Sequence, residues 1–145
     1  MIAFLLASTI SLSQVDEIRH EIRPFLDALA IVESNNNDKA VGDNGKAIGR
    51  YQIWQVYWKD ALKHAPELGG KYGKVRGKVY AERVLVAYLH RYAPKALAKG
   101  DYKTLARIHN GGPRGSRRRA TLPYWNRVNS HLALCEFCGK MELVK

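Results

Sequence analysis

At 145 residues the chain has the length of one compact domain, and a chain of that size buries about two-thirds of its unfolded surface without a disulfide scaffold. Hydrophobic residues at 46% and charged residues at 26% exclude a disordered tail or a fibrous repeat, and two cysteines are too few for a disulfide-built mini-protein. Lys and Arg number 24 against 13 Asp and Glu, a net charge of +11 that attracts nucleic acid, anionic lipid or anionic cell wall alike and leaves the chemistry open.

Met1 to Leu12 is an uncharged apolar run, too short to span a bilayer and similar to the core of a secretory signal, although no Lys or Arg precedes it. Cleavage of such a signal is expected near Ser13 and Gln14. The chain therefore divides into an N-terminal apolar segment or signal (1–14), one main domain (15–132) and a C-terminal tail with a CxxC pair (133–145).

From Val15, apolar residues at spacings of three and four (Ile18, Ile22, Phe25, Leu26, Leu29, Val32) predict helix, with Pro24 opening a second piece. That piece should stop near Glu33 or Ser34, because Asn35, Asn36, Asn37 and Asp38 favour caps and turns. Residues 35–50 read as turns and short strands, with Asn44-Gly45 as a hairpin dipeptide. An aromatic stretch, Tyr51 to Trp58, leads into a helix near 55–64, and Pro66 to Gly77 reads as a loop. Val79 to Tyr92 is apolar around much of its circumference and is expected to be the central buried helix. Asp101 N-caps a helix ending at His109-Asn110-Gly111-Gly112-Pro113. A basic loop, Arg114 to Arg119, follows, and Thr121 is placed to cap a last helix.

Glu33 stands out because it shares a face with Ile22, Leu26 and Leu29. Both an apolar setting and a helix C-terminus disfavour an ionised carboxylate, and so favour the protonated form that a general acid requires. A Glu leaning out to water is the plain alternative. Asp43 lies ten residues on among turn residues, where a hairpin returning over the helix end sets it across a cleft from Glu33. Two carboxylates in unlike environments are what glycoside hydrolysis uses. Closure of an Asx-turn is the alternative for Asp43.

The ordered set Glu33-Ser34, Asp43-Asn44-Gly45, Gly49-Arg50-Tyr51-Gln52-Ile53, Tyr57-Trp58-Lys59-Asp60, Ala106 to Pro113 and Tyr124-Trp125 resembles the invertebrate-type (destabilase) lysozymes. Its earlier half is also similar to soluble lytic transglycosylase domains. The resemblance covers about residues 22–128 and implies a mainly helical α+β, lysozyme-like fold, with a small β-hairpin lining a substrate cleft. It also implies cleavage of the β-1,4 bond between N-acetylmuramic acid and N-acetylglucosamine in peptidoglycan, without a cofactor. Glu33 matches the acid and Asp43 the nucleophile or ion-pair stabiliser. Lytic transglycosylases generally lack that Asp, so Asp43 favours a hydrolase. A basic binding module without catalysis is the reading from another class. The chain departs from the cysteine-rich family pattern, and in this it resembles a bacterial or phage-borne relative.

Ser34, Tyr51, Gln52, His109, Asn110 and Gly111 are candidates for the sugar-binding wall, with core packing for Tyr51 and a helix cap for His109-Asn110 as alternatives. Trp54, Trp58 and Trp125 read as core, and Asp60 and Glu82 as surface charges. The Arg114–Arg119 cluster lacks interleaved aromatics or a helix-turn-helix or zinc-finger spacing, so it is expected to attract anionic wall polymers and not to form a dedicated nucleic-acid site. Cys135 and Cys138 read as a thiol pair or local disulfide and not as a metal site, since only His131 is near and tetrahedral zinc needs four ligands. A monomer, secreted or periplasmic and associated with the cell wall, is expected.

Overall fold

The computed structural model describes residues 9–142, with side chains described up to residue 134; the expectations for residues 1–8 and for the Cys135 and Cys138 side chains lie outside the described residues. Seven helices and one small sheet are present among them: α1 (Leu12–Glu21), α2 (Arg23–Ser34), β1 (Val41–Gly42), β2 (Ala47–Ile48), β3 (Ile53–Trp54), α3 (Gln55–His64), α4 (Lys78–Tyr92), α5 (Pro94–Lys99), α6 (Tyr102–Gly111) and α7 (Leu122–Glu142). No described helix is long and apolar enough to cross a membrane.

The folded body starts before the boundary expected at residue 15. Ile10 is 3% exposed, its N–H donates to the His64 carbonyl, and Ser11 closes a capping box with Gln14 at the head of α1. At the other end α7 runs on through 133–142, where the sequence suggests a tail. Pro24 sits in the first turn of α2, where its missing N–H costs nothing, and Asp101 accepts from the Thr104 N–H as the N-cap of α6. Thr121 does not cap α7. Its hydroxyl instead accepts from the Arg107 guanidinium and meets the carbonyls of Gly115 and Arg118.

Helix α4 is the axis of the molecule and packs on α1, α3, α5 and α6; Ala81 to Leu89 are buried almost without a break, although Val79 at its start is exposed. Phe25, Leu26 and Leu29 of α2, Leu105 of α6 and Val128 of α7 complete the core around it. Glu82, expected at the surface, is fully buried in this core. Its carboxylate accepts from Arg19 (2.9 Å), twice from Arg23 (2.7 and 2.8 Å) and from the Tyr51 hydroxyl (2.9 Å). Burial pushes this carboxyl up, but the hydrogen bonds from Arg23, Arg19 and Tyr51 outweigh it and hold the group at about 2. One charge thus ties together α1, α2, the strand region and α4.

The sheet has the order β1-β2-β3 and is antiparallel throughout, pairing Val41 with Ile48, Gly42 with Ala47, Ala47 with Trp54 and Ile48 with Ile53. The hairpin turn runs from Asp43 to Lys46, whose N–H donates to the Asp43 carbonyl at 3.2 Å, and its central pair is the expected Asn44-Gly45 with left-handed φ at both (55° and 88°); Asp43 is left-handed as well (48°), a conformation that Asp and Asn tolerate better than most residues. Helix α2 ends the same way, on Asn35 at φ 54°. Gly49 is required on two counts: its φ is +79°, and a Cβ there would stand 2.7 Å from the Val75 carbonyl oxygen.

Candidate active site

Glu33 lies in the last turn of α2, with its side chain 17% exposed at the base of a cleft between the sheet and the end of α6. Its Oε1 accepts from the Tyr124 hydroxyl of α7 (2.6 Å) and lies 3.2 Å from Nε2 of His109. His109 Nδ1 in turn meets the Tyr57 hydroxyl at 3.0 Å. Burial, first of all, pushes the Tyr57 and Tyr124 phenols well up, so both remain protonated. Tyr57 has no other acceptor among the described residues, so its O–H donates to Nδ1. That leaves the imidazole hydrogen on Nε2, on the side of Glu33. With Oε1 taken by the Tyr124 hydroxyl, a proton on the carboxyl of Glu33 belongs on Oε2.

Asp43 occupies the hairpin turn and lines the same cleft; its Oδ2 accepts from the indole N–H of Trp54 at 3.1 Å. A left-handed backbone at a non-glycine residue costs of order 1 kcal/mol, and it sets the direction of this carboxylate. Gln52 shares this conformation (φ 49°) and also lines the cleft, with its side-chain amide N–H donating to the Gly49 carbonyl at 2.9 Å. Its amide oxygen fills the space that a Cβ would take at Gly42.

The cleft has a volume of about 510 Å³. The structure brings Glu33, Asp43, Gln52, His109, Asn110 and Gly111 to its walls. Two other candidates lie outside it. Tyr51 is fully buried, because its hydroxyl is drawn inward to Glu82, and its role is core packing. The Ser34 hydroxyl donates to the Arg50 carbonyl (2.8 Å) and accepts from the Asn37 N–H (3.0 Å), so it pins the end of α2 to the turn between β2 and β3 and is not on the cleft wall.

Several cleft residues escape the sequence reading. Trp54, expected in the core, is 40% exposed on the cleft lip, since β3 turns its outward face there. Asp60 is not a free surface charge: it lines the cleft and accepts from the Tyr92 hydroxyl at 2.9 Å. Tyr57 stacks on Tyr88 with ring centroids 3.6 Å apart, and both border the cleft. Tyr57 belongs to the Tyr57-Trp58-Lys59-Asp60 motif, and its helical spacing with Ala61, both facing inward, is the local signal for its burial. From the basic loop, Arg118 reaches the same cleft. Among the described residues, no group of three or more His, Cys, Asp or Glu is placed to hold a metal ion.

A mainly helical body with a three-stranded antiparallel sheet on one lip of a carboxylate-lined cleft defines the lysozyme-like fold. The Destabilase family pattern matches residues 23–131, and the chain belongs to that family. It is 37% identical over 83 residues to a lysozyme of Magallana gigas, covering 56% of this chain and 57% of that protein. It is 31% identical over 109 residues to invertebrate-type lysozyme 6 of Caenorhabditis elegans, covering 68% of this chain and 79% of that one. The Meretrix lusoria lysozyme, in its crystal structure with Aeromonas hydrophila PliI, superposes with a TM-score of 0.62 at 28% identity, covering 74% of this chain and 88% of that one. The chain thus spans little more than half of the Magallana gigas protein.

Proposed function

We propose that this protein is a muramidase that cuts the β-1,4 bond between N-acetylmuramic acid and N-acetylglucosamine in peptidoglycan. The observation that carries the reading is the shared cleft: Glu33, held through Oε1 by Tyr124 and His109, and Asp43, held by Trp54, line one groove. The family membership and the lysozyme relatives support the same reaction.

In this reading Glu33 delivers the proton on Oε2 to the glycosidic oxygen as the bond lengthens. Positive charge develops on the ring, and Asp43 stabilises it or attacks the anomeric carbon. Glu33, now ionised, is steadied by the Tyr124 O–H and the His109 N–H. It then takes a proton from the water that resolves the intermediate, which restores the starting state. Gln52 and Asn110 offer amide donors and acceptors to sugar hydroxyls, and the exposed ring of Trp54 suits a pyranose face. The charge of +11 draws the enzyme to anionic wall polymers, and its place of action is outside the membrane, where the wall is. The molecule acts as a monomer, with one complete cleft per chain.

The test is a digest of purified peptidoglycan analysed by mass spectrometry. Wild-type protein should leave reducing muramic ends. Glu33→Gln should lower the rate about a thousandfold, given that general acid catalysis alone contributes about 10²–10⁴-fold; near-native lysis by that variant refutes the assignment. Asp43→Asn should also fall steeply. Unchanged turnover with anhydromuramyl ends would move the enzyme to the lytic transglycosylases, and absence of any cleavage would leave a binding module.

A further inference from the structure

Pro113 lines the cleft on one side and a second groove, of about 540 Å³, on the other. Four cations border this second groove: Lys95 and Lys99 from α5, and Arg114 and Arg117 from the loop after α6. Among the described residues none of the four makes an ion pair or a side-chain hydrogen bond. The one carboxylate in the groove, Asp101, is already taken, bonding the Thr104 N–H at 3.1 Å and the Thr104 hydroxyl at 2.6 Å as a helix cap. The groove therefore presents four cations without ion-pair partners and one carboxylate, a net positive rim, over a floor that includes Ala96, Ile108 and Pro113.

We infer that this groove is a subsite for the acidic stem peptide that hangs from the muramic acid of a strand lying in the cleft. The inference rests on the muramidase reading and extends it to the substituent of the sugar. The two grooves share a wall residue, so a short chain joined to the bound sugar needs only to pass Pro113 to enter the second. A stem peptide carries carboxylates for the rim and alanine methyl groups for the floor. A phosphodiester polymer has charge for the rim but a mainly hydroxylated backbone for the floor, and it is not joined to the muramic acid in the cleft by so short a link, which favours the peptide. Each contact to an exposed Lys or Arg is weak by itself, and four acting together shift affinity on the order of tenfold.

The experiment compares two substrates made from the same walls after acid removal of phosphate polymers: glycan strands with their peptides, and strands stripped of peptide by an amidase. The fourfold variant K95S/K99S/R114S/R117S should raise KM about tenfold on peptide-bearing strands, leave kcat alone, and match the wild type on stripped strands. An equal rise on both substrates, or no rise on either, overturns the subsite. Binding of Glu33→Gln protein to the same two substrates immobilised on beads, with and without the four serines, gives a readout that needs no turnover, so the groove is judged even if the wild type cuts neither and the muramidase reading fails. Re-adding walls that retain their phosphate polymers is the third arm, and a variant defect seen only there assigns the groove to phosphate and rejects the peptide. Single variants R114S and K99S, with partial effects on peptide-bearing strands, guard against a fold defect in the combined variant.

Discussion

Replacing Glu82 by Gln keeps the shape of the side chain and removes its charge from the centre of the fold. The carboxylate takes four donor contacts from Arg19, Arg23 and Tyr51 at 2.7 to 2.9 Å and is fully buried, so the variant leaves two guanidinium groups facing a neutral amide. Breaking a buried pair by removing one partner costs about 3–5 kcal/mol. The depressed titration gives a similar figure. A carboxyl held at about 2 against an ordinary 4.5 corresponds to roughly 3 kcal/mol, at about 1.4 kcal/mol per unit. For a chain of this size, where each kcal/mol moves Tm by about 2–4 °C or slightly more, the variant should melt roughly 10 °C lower in calorimetry at pH 7. The pH dependence has a definite sign. Because the folded-state value lies below the unfolded one, the stabilisation is complete above about pH 4.5 and is lost as pH falls from there towards 2. Wild type should lose stability in that window, and Glu82→Gln should lose less; a smaller acid limb remains, since hydrogen bonding to Arg83 also holds Asp16 below its usual range. A Tm change under about 3 °C, or identical acid limbs, would refute the idea that this charge staples the core.

Tyr57→Phe keeps the stack on Tyr88 but takes away the donor to His109 Nδ1, so kcat should fall about tenfold with little change in KM, as measured on soluble glycan strands; a rise in KM of similar size with kcat unchanged would mean the hydroxyl works through substrate contact and not through His109. Gly115→Ala places a methyl group on the Arg107 carbonyl of α6, and the backbone of the 112–121 loop must move to admit it; a loss of at least about 2 kcal/mol in urea unfolding is expected, with a parallel loss of activity because Arg118 on that loop lines the cleft.

The parts of this fold that follow local rules are readable in the sequence. Pro24 marks the start of α2 and Asp101 that of α6, because each acts within one turn of its own position. The apolar face that carries Glu33 and the turn that carries Asp43 are likewise local features, and both residues reach one cleft. What the sequence hides depends on distant partners. Glu82 looks like a surface charge until Arg19 and Arg23, 63 and 59 residues away, are brought against it. Tyr51 and Trp54 exchange their expected roles because the chain entering and forming β3 turns one inward to that same carboxylate and the other out over the cleft. Tyr124 meets Glu33 across 91 residues, and no spacing rule predicts such a contact.

Charge, and not sulfur, clasps the elements around Glu82. No cysteine occurs before residue 135, so the helices and sheet around Glu82 are joined without any thiol chemistry. The packing around Glu82 should therefore be unchanged by dithiothreitol and should loosen in acid, the condition that discharges its central clasp.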